Sequence, residues 1–199
     1  MAAPTKTLSV ALLSPATVTN NSRAVGTAVD VSGVHSLGLT MFLGRANGTA
    51  HASPWAQIVV EGCPSATDNS MFSPIAALLM PAGASIANTT TNGSISAAAT
   101  SFVVTSATNI AAGAFLYVGD STAANWEIVR VQSVSGTTIT IDGAFQFAHA
   151  TGQVVTSQAE RVAIPSIDIT GLARVRVACL NQSGQSVYAS ALGVTTVLK

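Results

Sequence analysis

The sequence predicts an all-β protein: an antiparallel β-sandwich of jelly-roll-like type, with a small β-barrel-like module inserted into it. Three observations carry this. Short apolar runs are punctuated by Gly, Asn, Asp and Ser at intervals of about eight to twelve residues, the spacing of small antiparallel strands. Within runs such as Leu37, Leu39, Met41 and Leu43, large apolar residues alternate with other types, which gives a strand one apolar face. No long 3.6-residue apolar stripe with capping residues occurs, so helices are not expected.

Taken in order, residues 1 to about 7 read as an arm, and Thr7 to Leu13 as a first strand with Leu8, Val10 and Leu12 on one face. Asn20-Asn21-Ser22 supplies turn residues. Gly26 to Val31 reads as a second short strand ended by Ser32-Gly33, and the Leu37–Leu43 alternation as a third. Residues 44–53 form a loop, Trp55 to Glu61 a fourth strand, and residues 64–73 a polar loop around Asp68-Asn69-Ser70. Ile75 to Met80 lies between Pro74 and Pro81 and is either a strand or one helical turn, because so short a run has no decisive period.

From Ala84 to Thr100 the chain is Ala, Ser, Thr, Asn and Gly with almost no large side chain, and reads as a linker into the module. Module strands are expected at 102–105, 115–119, 127–134, 138–142 and 153–156. Val129 and Val131 share a core with Ile139 and Ile141 across the Ser135-Gly136 turn. Gln158 to Arg161 is the return path. Val162 to Ile169, Ala173 to Leu180 and Val187 to Val197 then resume the parent sandwich, whose first and last strands close on each other. The predicted organisation is a discontinuous parent sandwich, residues 1–84 plus 158–199, and an inserted module, residues 85–157.

Only 8% of the 199 residues are charged, and eight basic residues balance eight acidic ones. A globular chain typically carries about a quarter. The basic footprint of a nucleic-acid binder is missing, so no nucleic-acid partner is expected. No apolar run approaches the roughly 18–20 residues needed to span a bilayer, so no membrane partner is expected either. Polarity comes instead from 22 Ser and 23 Thr. Such a neutral surface is easier to desolvate than a charged one and suits packing against neighbours. The start MAAPTKTLSV shows no apolar stretch behind a basic region, so a secretory signal is not expected.

No chemistry emerges from the residue patterns. His35, His51 and His149 are far apart and lie in no metal-ligand spacing, and no nucleophile, phosphate or dinucleotide motif occurs. No catalytic residue, metal or cofactor is therefore expected, and the chain does not read as an enzyme. Asp68, Asp120, Asp142 and Asp168 sit at turns or strand ends, where Asp bonds nearby amides. Glu61, Glu127 and Glu160 cannot be placed relative to one another. Cys179 falls on the face of Val175 and Val177 and reads as a core thiol, and a bridge to Cys63 is not expected in a reducing compartment. Trp55 and Trp126 are read as packing residues, in the core or at a subunit interface.

The run ATSFVVTSATNIAAGAFLYVGD, followed by EIVRVQSVSGTTITIDGAF and AHATGQVV, resembles a β-module that recurs in virion proteins of tailed bacteriophages. The resemblance covers roughly residues 95 to 157. Its sharpest pieces are Gly113–Asp120, Glu127–Val134 with the Ser135-Gly136 turn, and Ala148–Gly152, and GLARVRVACLNQSGQSVYASA looks like the parent domain of such a protein. In this context His149 is expected to bond a backbone carbonyl and shape the last turn.

The resemblance implies a virion structural protein, first of all a capsid decoration (cement) protein in the head shell, assembled in the host cytoplasm and bound to the major capsid protein. A homo-oligomer is expected, and the resemblance implies a trimer. The alternative is a head, tail-fibre or neck adhesion module that binds host glycans through the 44–54 and 64–73 loops. The candidate subunit contacts are the arm Ala2, Ala3, Pro4, Thr5 and Lys6, together with Arg174 and Arg176. The two arginines alternate with Val175 and Val177 and so project from one strand face, either towards a neighbour's carboxylates or into solvent.

Overall fold

Alternation of side chains organises the fold. In Ser36–Arg45 (β4) Leu37, Leu39, Met41 and Leu43 are all buried, while Gly38, Thr40 and Phe42 between them are half-buried. The computed structural model describes residues 5–45, 56–79, 87–120, 122, 125–157 and 159–197, with side chains described from Ala11 to Gly193.

Two sheets form a sandwich. One runs β1 (Thr5–Val18), β15 (Val187–Val197), β4, β13 (Ala159–Asp168). The other runs β2 (Ser22–Val25), β14 (Arg174–Asn181), β5 (Ala56–Cys63), β6 (Ser73–Leu79), with β3 (Val29–Asp30) also beside β14. Every pairing is antiparallel. Leaving β3 aside and renumbering the strands one to eight along the chain, the sheets read 1-8-3-6 and 2-7-4-5. That is the strand order of a jelly roll. Leu37, Leu39, Met41 and Leu43 from one sheet meet Ile58, Val60, Val175, Val177 and Cys179 from the other.

The predicted strand over Gly26–Val31 is instead split, with β2 ending at Val25 and β3 starting at Val29. Gly26 is the reason. A Cβ there would lie 1.7 Å from the Leu12 carbonyl oxygen, so the chain crosses the backbone of β1 at this point. The expected arm also ends earlier than residue 7: Thr5, Lys6 and Thr7 already pair with Val197, Thr196 and Thr195. Ile75–Leu79 is strand rather than helical turn, held by β5.

The second β unit is a six-stranded sheet in the order β7 (Asn88–Thr90), β12 (Val154–Thr156), β9 (Phe115–Val118), β10 (Glu127–Ser135), β11 (Thr138–Ile141), β8 (Ser101–Val103). It curls until its outer strands meet. Thr91 bridges Val104, Asn92 N–H donates to the Val103 carbonyl at 2.8 Å, and Thr105 N–H donates to the Thr90 carbonyl at 2.9 Å. Val129, Val131, Ile139 and Ile141 point into the enclosed core with Phe102 and Phe145, whose rings meet edge to face at 5.4 Å. Gly136, at a φ of 60°, makes the β10–β11 turn, a conformation that costs glycine least.

Part of the expected 84–100 linker belongs to this barrel. β7 lies within it, Thr89, Thr91 and Ile95 are buried, and Ile95 pairs with His149. Small Thr and Asn side chains gave no apolar alternation to read, but their backbone closes the ring. Entry and exit run together: Ala87 N–H donates to Ser157 Oγ at 2.8 Å and Ser157 N–H to the Ala87 carbonyl at 3.2 Å. The barrel sits against the jelly roll through Tyr117, Trp126, Ile128 and Ala159, with Phe42, Phe115 and Tyr188 packed on them. The Tyr117 and Tyr188 rings stack at 4.9 Å.

Candidate interaction surfaces

β14 places Arg174 and Arg176 on one face, as the alternation predicts, and its register sets Glu61 of β5 directly opposite Arg176. Arg176 Nε donates to Glu61 Oε2 at 2.7 Å, and Arg23 from β2 donates to both Glu61 oxygens at 2.7 and 2.9 Å. The Arg176 guanidinium also lies 3.8 Å from the centre of the Phe72 ring.

Arg174 reaches over the 64–71 loop. It donates to the carbonyls of Ser65 at 2.9 Å and Asp68 at 3.0 Å, and to Asn69 Oδ1 at 2.8 Å. The loop carries a short 3-10 turn, Asn69–Met71, capped by Asp68. Hydrogen bonds from the Ser70 hydroxyl and backbone N–H hold the Asp68 carboxyl below its ordinary range. Much of the donor capacity assigned to a neighbouring subunit is thus already engaged within the chain. Sequence reading missed Glu61, Arg23 and Phe72 as partners, because only the pairing of β14 with β5 and β2 brings them together. Of the arm, Ala2, Ala3 and Pro4 lie outside the described residues, while Thr5 and Lys6 begin β1.

His149 is buried, and its main chain pairs with Ile95 in both directions, at 2.8 and 2.9 Å. Its ring does not meet the expected backbone carbonyl. It lies between two carboxylates, with Nε2 at 3.1 Å from Glu127 Oε1 and Nδ1 at 3.3 Å from Asp120 Oδ2. The second contact has angles that fall short of a hydrogen bond. Glu127 also accepts from the backbone N–H of Gln146 and of Phe147, each at 2.9 Å. Burial pushes the Glu127 carboxyl upward, but His149 and these two amides outweigh it and hold it below the ordinary value. The group ties the 145–149 turn to the start of β10. No spacing in the sequence announces it, since its members stand on three separate segments.

A cleft of about 590 Å³ opens where the barrel meets the jelly roll. Phe42, Arg161, Ser190 and Leu192 line it from the sandwich, and Phe115, Trp126, Arg130, Asp142 and Phe147 from the barrel. Arg130 and Asp142 are paired at 2.8 Å. Arg161 stands over the Phe42 ring at 5.3 Å, and no carboxylate among the described residues is within ion-pair distance of it. Trp126, read from sequence as a packing residue, forms one wall, whereas Trp55 and His51 lie outside the described residues.

Cys63 and Cys179 are both buried and free. Burial pushes the Cys179 thiol up to about 12, so it is protonated and unreactive at neutral pH. Among the described residues no group of three or more His, Cys, Asp or Glu is placed to hold a metal ion, and no helix is long and apolar enough to cross a membrane.

No protein-family model and no curated protein sequence matches the chain. Among solved structures it is similar to the SPBc2 prophage-derived protein YomS, at 11% identity and a TM-score of 0.34 over 98% of this chain and 96% of that one. It is also similar to VP17, a capsid protein of bacteriophage P23-77, at 6% identity and a TM-score of 0.18 over 99% and 100%. A third likeness is to infectious bursal disease virus (Gt strain), at 7% identity and a TM-score of 0.26 over 97% of this chain and 41% of that one. Superpositions this loose carry no argument about function, and the all-β jelly-roll assignment rests on the strand order itself.

Proposed function

We propose that the chain is a virion structural protein of a tailed bacteriophage, a capsid decoration protein that bridges neighbouring major-capsid subunits on the head shell. One observation carries the reading: a jelly roll, with a second β unit between β6 and β13 whose sequence resembles a tailed-phage virion module. Jelly rolls build viral capsid and lectin domains. The fold alone does not choose between these uses. The surface chemistry favours assembly, because few charges must be desolvated when it is covered.

The edge strand β6 supports the same reading. Among the described residues it pairs on one side only, and Ile75 is 38% and Leu79 64% exposed. An unpaired edge with apolar side chains is a ready docking site for another chain. We assign the capsid-facing contacts to this edge, to the segment Ala2–Lys6, and to the face that carries Arg174 and Arg176. In this reading residues 85–157 are an inserted module within a parent spanning 1–84 and 158–199, and the assembled form is a homo-oligomer, a trimer by the resemblance.

The test is to mix purified protein with expanded, undecorated shells and to count copies per native virion by densitometry against the major capsid protein. Saturable binding and hundreds of copies are expected. Failure to bind shells, with a few tens of copies or fewer, would move the protein to a fibre or neck.

A further inference from the structure

The junction cleft has a composition that packing alone does not require. We propose that it is a binding site for an acidic saccharide, a sugar ring bearing a carboxylate. The inference is independent of where in the virion the protein sits.

The cleft volume, about 590 Å³, falls within the range of roughly 300–1,000 Å³ in which small ligands are held. Rings line both walls, Phe42 on the sandwich and Phe115 and Phe147 on the barrel, and Phe147 is 37% exposed. The electron-rich faces of such rings attract the weakly positive C–H bonds of a sugar. Arg130 and Asp142 place a donor and an acceptor side by side at 2.8 Å, an arrangement that serves two adjacent hydroxyls, one accepting and one donating.

Charge selects the acid. The Glu127 carboxylate is already spent on His149 and two backbone amides, and Asp142 is balanced by Arg130. Arg161 remains as a cation 5.3 Å from the centre of the Phe42 ring, with no carboxylate partner among the described residues. A guanidinium has planar, paired N–H donors that match an incoming carboxylate.

A peptide is the competing occupant. β4, β15 and β10, which supply Phe42, Leu192 and Arg130, are each paired on both sides, whereas β13, which supplies Arg161, pairs only with β4 among the described residues. Backbone for strand addition is open only along that edge, and the hexaglutamate comparator tests it.

The experiment is calorimetric titration of the full-length protein with three acidic disaccharides, digalacturonate, a hyaluronan disaccharide and sialyl-galactose, with neutral galactobiose and hexaglutamate as comparators. At least one acidic sugar is expected to bind, about tenfold or more tighter than galactobiose. Arg161→Gln should abolish the preference for acid over neutral sugar. Phe147→Ala should weaken both while keeping the preference. Both residues are on the surface, and unchanged melting of each variant checks the fold. The proposal is overturned if none of the three acidic sugars binds, if R161Q keeps the preference, or if hexaglutamate binds at least as tightly with the same dependence on Arg161.

Discussion

In the jelly roll, the strands that pair are far apart in the chain: Thr5 of β1 lies opposite Val197 of β15, and Ser36 of β4 opposite Thr196. In the barrel, β10 and β11 are joined by a turn of Gly136 and Thr137, and its farthest pairing sets Asn88 opposite Thr156. Closing a long loop costs entropy before any contact repays it, so the barrel should form early and the sandwich only when both chain ends are present. One glutamate in each unit is held in a different way. Glu61 in the sandwich is held by two arginine side chains, and Glu127 in the barrel by two backbone amides and a histidine.

The largest effects test whether the units are separable. Ile139→Asp in the barrel core and Met41→Asp in the sandwich core each bury an unpaired charge at a fully buried site, costing several kcal/mol, on the order of 4 or more. Hydrogen exchange on Met41→Asp should show sandwich amides exposed while β9, β10 and β11 stay protected. Equal loss of protection in both units would make them one cooperative body. Tyr188→Ala comes next, at about 2–4 kcal/mol, because it removes the ring stacked on Tyr117 at the junction. Calorimetry should then resolve two transitions, and a single sharp one would show that the units stay coupled without this ring stack.

Glu127→Gln should cost about 1–3 kcal/mol by weakening the acceptor of the Gln146 and Phe147 amides. The folded-state carboxyl is held below its unfolded value, so its contribution is complete above that value and disappears as pH falls through the lower folded one. The wild type should therefore lose more melting temperature between about pH 6 and about pH 3 than Glu127→Gln does. Parallel losses would remove Glu127 as the acid-sensitive tie. Arg176→Ala should cost about 1–2 kcal/mol, because it removes a largely buried hydrogen bond to Glu61 and a contact with Phe72 while Arg23 still faces Glu61. A change in shell binding larger than this stability change would support its assignment to the capsid-facing surface.

Much of the architecture was legible residue by residue. The burial of Leu37, Leu39, Met41 and Leu43, the shared core of Val129, Val131, Ile139 and Ile141, and the placement of Cys179 beside Val177 all follow from a period of two, which is a local property of an extended chain. The turn at Gly136 follows from local backbone freedom. Other features depend on which strands become neighbours. The split at Gly26 comes from a crossing with Leu12, and the role of β7 comes from backbone pairing that Thr and Asn side chains do not announce. The same holds for the ties of Glu61 to Arg23 and Arg176, of Glu127 to His149, and of Tyr117 to Tyr188 across the junction. Hydrophobic alternation tells each strand which face to bury. The partner of a charge or a ring is set by register between segments tens to more than a hundred residues apart, and that information exists only once the sheets have assembled.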